Sequence, residues 1–268
     1  MERANSVEGE KFIIIGGSSS NLGFDSKCFE ELAGKPAVNL AVSAGIPLRA
    51  YMKAAENCAS PGDVILMPLE YGYYASDFYA VNEAYIDVTA VDANLKCKES
   101  FWGNADYCFS YFLRSFTRLN DVLLFGLKKV MHTDNTIYIA DSVNTYGDFC
   151  LHENRASTYK RTVSNTCFTY NQQTLEEINA FISRMEEMGV SVYITYPAFD
   201  MQSIQDHETY AQTIQHMMDT NFSAQHILGT PELFSYDENC FYDTAYHLTY
   251  ENRRIYTQKL FDCYQMTA

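Results

Sequence analysis

Five short runs of aliphatic, aromatic and β-branched residues, separated by stretches with helical spacing, limit what this chain can fold into. Phe12–Ile15 is the first run, and "SKCFEELA" (26–33) after it predicts a helix that Gly34 ends. "PAVNLAV" (36–42) is a second strand, residues 48–58 a helix, and "PGDVILMPLEY" (61–71) a turn entering a buried strand. Further on, residues 171–189 form an amphipathic helix with Thr174 as cap and Gly189 as stop, followed by a strand in "VSVYITYPAF" (190–199). A helix over about 206–219, a last short strand in "AQHILG" (224–229) and a terminal helix complete the pattern. Such alternation predicts a parallel sheet covered by helices on both faces. Residues 75–170 break the rhythm with helical patches in 105–131 and a loop-like part rich in Asn, Thr and Tyr. They are read as an insertion or lid subdomain within a single domain spanning 1–268.

Charge narrows the partners. With 34 Asp and Glu against 19 Lys and Arg, the formal charge of −15 repels phosphate backbones and anionic lipid, so no nucleic acid or membrane-surface partner is expected. The eight cysteines are scattered without CxxC or zinc-site spacing, which predicts free thiols and a reducing compartment. "MERANSVEGE" is polar, no window reaches the length of a membrane span, and the chain reads as soluble with no signal peptide. The 21 tyrosines and 17 phenylalanines suit core margins first and sugar-facing clefts second.

Ligands gather at the carboxyl ends of the strands in such a sheet. Polar clusters fall there at Ser18–Asn21, Asn39–Gly45, Glu70–Tyr74 and Tyr196–Asp200, and Asp243–His247 can fold back over the same edge. The first cluster, "IIIGGSSSNLG", places serines where a strand gives way to a helix, which suits an attacking oxygen or a bound anion equally well. GxxxxGK[ST], GxGxxG and GxSxG are all absent, which excludes a P-loop, a dinucleotide fingerprint and the α/β-hydrolase elbow. A plain polar loop is the alternative. "YDTAYHL" supplies what a serine nucleophile lacks: Asp243, four residues before His247, to orient an imidazole that accepts the hydroxyl proton. Elsewhere Ser19 is a fallback nucleophile, His207, His216 and His226 are solvated or satisfied in the core, and His132 and His152 could line a lid. Asp200 is expected to shape the pocket, and Glu70 to bind a substrate hydroxyl or a cation or to pair with Arg49. No metal set and no cofactor motif stands out.

"IIIGGSSSNLGFDS" together with "FYDTAYHLTYENRRIYTQKL" resembles the first and last blocks of the SGNH (GDSL-like) hydrolase superfamily. The likeness is to its poorly characterised bacterial cell-surface branch, which has GGS in block one, and it covers roughly 11–74 and 171–263. The resemblance implies a three-layer α/β/α, flavodoxin-like sheet with a largely helical insertion. It implies Ser18 as nucleophile, His247 as general base, Asp243 as orienting acid, and the Ser18 N–H with Gly45 (or Ala44) as oxyanion donors. The expected activity is that of a serine esterase or O-acyltransferase on a small acyl ester of a carbohydrate, or else a non-catalytic accessory role in cell-surface polysaccharide modification. Two departures stand out. Where the superfamily supplies an Asn to the oxyanion hole, this chain has Glu70 and Tyr71, leaving Tyr71 or Asn21 to substitute, and the Asp–His spacing is four rather than three. The resembled proteins work outside the membrane behind an N-terminal anchor, whereas the thiols favour a reducing interior, and both placements stay open.

Overall fold

The computed structural model describes residues 2–97, 103–115, 117 and 142–267. Its elements are α1 (Glu2–Ser6), β1 (Phe12–Ile14), α2 (Ser18–Gly23), α3 (Ser26–Ala33), β2 (Ala37–Asn39), α4 (Leu48–Cys58) and β3 (Val64–Pro68). After these come α5 (Tyr71–Ala75), α6 (Glu83–Val91) and α7 (103–115). The chain ends with α8 (Gln172–Glu187), β4 (Ser191–Thr195), α9 (His207–Asn221), β5 (Ile227–Leu228) and α10 (Asn252–Thr267).

The five strands form one sheet in the order β2-β1-β3-β4-β5, every pair parallel. This is the flavodoxin-like order, which reverses direction between β1 and β3. Central strands of a parallel sheet are covered on both faces, and β1 and β3 are buried at every residue. Two helical layers do the covering. α3 and α10 share one face, where Phe12 and Phe29 meet edge-on at 4.9 Å and Phe29 meets Phe261 at 5.5 Å. On the other face α8 is tied to α4 through Arg184 and Glu56 (2.8 Å) and to α9 through Asn179 and the Asn221 carbonyl (2.9 Å). The result is a three-layer α/β fold.

Local chemistry explains the element ends. α3 starts where the Asp25 carboxylate accepts the Cys28 N–H and stops at Gly34, whose φ of 65° only glycine adopts cheaply. α8 is capped by Asn171, which accepts the Gln173 N–H, and not by Thr174. Thr174 is buried and donates instead to the Ser76 carbonyl at 2.7 Å. β2 is shorter than its apolar run because Asn39 turns its Oδ1 onto the Ala41 N–H (3.0 Å) and ends the extended stretch. The last strand shrinks to two residues, since Ala224–His226 is a single 3₁₀ turn. The helical expectation over 105–131 is met by α7 as far as residue 115, and its remainder, like His132, lies outside the described residues apart from residue 117. No helix among the described residues is long and apolar enough to cross a membrane. No disulfide joins the described cysteines.

Candidate functional site

β1 runs into Gly16 and Gly17, and α2 begins at Ser18, so the serines leave the sheet at its carboxyl edge between β2 and β3. Three hydrogen bonds anchor this turn to its neighbours. Ser20 Oγ donates to the Pro68 carbonyl (3.1 Å), Asn39 Nδ2 donates to the Ser20 carbonyl (3.0 Å), and Asn21 Nδ2 donates to the Ala41 carbonyl (2.7 Å). Ser19 and Ser20 are buried, whereas Ser18 keeps partial exposure. Of the three hydroxyls, that of Ser18 is the one open to a reactant.

The side chain on Ser18 is Glu70, from the end of β3. Glu70 Oε1 accepts the Ser18 hydroxyl at 3.2 Å and the Ser19 N–H at 2.8 Å. The doubled glycine makes room for it: a Cβ on Gly17 would stand 2.5 Å from Glu70 Oε1 and 3.1 Å from Ala44 Cα. Glu70 does not pair with Arg49, which lies 4.0 Å over the Tyr85 ring and donates to the Ala80 carbonyl.

The acid and imidazole of the carboxy-terminal segment are joined. His247 Nδ1 and Asp243 Oδ1 are 2.7 Å apart, with His247 buried. A carboxylate on Nδ1 requires the proton there, which leaves the Nε2 lone pair free. Nε2 makes no hydrogen bond among the described residues and is not sealed from solvent. The segment is closed by Tyr242 N–H to the His247 carbonyl (2.7 Å). Its flanks pack against the carboxyl end of α2, the helix that Ser18 begins. A Cβ on Gly23 would meet Leu248 Cδ1 at 3.7 Å, and Leu22 and Tyr242 share a buried cluster with Phe149. The Tyr246 ring packs against Phe199 (4.5 Å) and Tyr71 (6.2 Å), the residue after Glu70.

The other oxyanion candidates face elsewhere. The Gly45 N–H donates to Ser43 Oγ (3.2 Å) and its carbonyl accepts from Asn82, while it is Ala44 that abuts Gly17. Tyr71 is buried with its ring against Phe199, Tyr210 and Tyr246. Asn21 spends an amide proton on the Ala41 carbonyl, just past β2. Asp200 lines no open pocket: fully buried, it takes a two-pronged grip from Arg161 at 2.7 and 2.8 Å and a bond from the Tyr159 hydroxyl at 3.0 Å. His226 is satisfied by the Val192 carbonyl at 2.9 Å. Among the described residues no group of His, Cys, Asp and Glu is arranged to hold a metal.

One feature escaped sequence reasoning. The strap 157–161 holds the segment ahead of Asp243, with Thr158 and Tyr159 N–H groups on the Tyr242 carbonyl (2.6 and 2.8 Å) and Ser157 Oγ on that of Phe241 (2.6 Å). His152, expected as a lid residue, is instead buried against Phe149, Tyr242 and Tyr250. Burial, then Arg253 and His247, push its pKa down to about 4, so the ring is neutral. No spacing signal marks the strap; the repeated glycine was the available sign of the Glu70 approach. Comparison with family models, with curated proteins and with solved structures found no match.

Proposed function

We propose that this chain is a serine esterase or O-acyltransferase of SGNH type, acting on a small acyl ester of a hydroxylated, carbohydrate-like alcohol. One observation carries the reading: an Asp243–His247 pair with its Nε2 open, on a segment packed against the helix that begins at Ser18. The resemblance of the two end blocks, which contain these residues, agrees with it.

Ser18 Oγ attacks the acyl carbon as its proton passes from the Glu70 contact to His247 Nε2. Asp243 holds the Nδ1 proton and stabilises the imidazolium that forms. The Ser18 N–H, at the first turn of α2, meets the developing oxyanion. The imidazolium then protonates the departing alkoxide, and water or a second hydroxyl attacks the acyl-serine to release the acyl group. Ser18→Ala is the test. Hydrolysis of p-nitrophenyl acetate should fall by about 10³-fold or more, and undiminished turnover ends the reading.

A second reading, a non-catalytic accessory protein on the same fold, is favoured by one feature: the side chain touching Ser18 is a carboxylate, where an oxyanion hole calls for a donor. In that case wild type and Ser18→Ala are equally inactive on the same ester.

A further inference from the structure

Resting on the acyl-transfer reading, we propose that Glu70 determines specificity by confining the site to esters that carry no anionic group beside the scissile bond. Glu70 is only 8 % exposed, and its carboxylate touches both the Ser18 hydroxyl and the Ser19 N–H, so its charge lies beside the proposed reacting atoms and is poorly screened. Among the described residues no Lys, Arg or His forms an ion pair with it. Gly17 is the local condition for this arrangement, because any larger residue would meet the carboxylate oxygen at 2.5 Å.

The consequence is a local filter. A substrate carboxylate or phosphate about 6 Å from Glu70, at an effective dielectric of roughly 20–40, is disfavoured by about ten- to a hundredfold. A hydroxyl or ammonium group that reaches hydrogen-bond distance of Glu70 gains an acceptor instead. The alcohol that fits is neutral or cationic, and phosphorylated or uronic-acid esters are rejected.

A matched pair of esters tests this: 3-acetoxybenzoate, an anion, and its neutral methyl ester, which share one acyl group. Wild type should prefer the methyl ester by about tenfold or more in kcat/KM, and Glu70→Gln should narrow that preference about tenfold. Gly17→Ala, which displaces the carboxylate without removing it, should narrow it in the same direction and serves if Glu70→Gln does not fold. A preference unchanged within twofold in a folded variant overturns the role of Glu70 alone. A wild-type chain that hydrolyses neither ester overturns the acyl-transfer reading and this inference with it.

Discussion

The two halves of the candidate site meet at one sheet edge but are held there by different means. The serine turn is anchored by the sheet's own strands: Ser20 bonds the end of β3, and Asn39 from β2 bonds Ser20. The Asp243–His247 segment contributes no strand to the sheet. Just before it, the Phe241 and Tyr242 carbonyls are taken by the strap 157–159, and the Ala245 carbonyl is taken by the N–H of Asp200, which Arg161 grips in turn. Ser18 is therefore pre-set by the buried sheet, whereas Asp243 and His247 lean on residues that lie between α7 and α8. A site divided this way can lose its histidine while its serine stays in place.

The largest expected effect breaks the weaker half. Arg161→Met leaves the Asp200 carboxylate, fully buried, without its cation. Removing one partner of such a pair costs about 3–5 kcal/mol. Urea unfolding should register that loss, and hydrogen exchange should show amides 242–247 opening well before the turn at 16–21. Equal opening of both halves would contradict the division drawn above.

A smaller effect concerns pH. His152 has its folded pKa lowered from 6.5 to about 4, so between those values the unfolded chain binds a proton that the folded chain refuses. Stability from this group is complete above about pH 6.5, declines as the pH falls, and levels off below about 4. His152→Phe, an aromatic ring among Phe149, Tyr242 and Tyr250, should flatten that part of the stability profile. An unchanged slope in denaturation series at successive pH values would remove His152 from the account.

The sequence was most legible where structure is decided locally. α3 and α4 occupy the residues that periodicity indicates, Ser26–Ala33 and Leu48–Cys58, and α3 is bounded by Asp25 and Gly34 acting on their nearest neighbours. Thr174 misled because a competing partner, the Ser76 carbonyl, lies 98 residues away, and tertiary context overrode a local preference. The strap was illegible for the same reason: Ser157 bonds a carbonyl 84 residues on, and Arg161 a carboxylate 39 residues on. Within the site, the Asp243–His247 contact was legible because it joins residues four apart. Glu70 on Ser18 was not, since parallel register alone brings the ends of β1 and β3 side by side.

The account stands on Ser18 being a hydroxyl that His247 activates. Treatment with a fluorophosphonate probe, followed by peptide mapping, tests this most directly. The account predicts one adduct, on Ser18, formed in the wild type and slowed by at least about a hundredfold in His247→Ala. No adduct, or one that forms at the same rate without the imidazole, would contradict it.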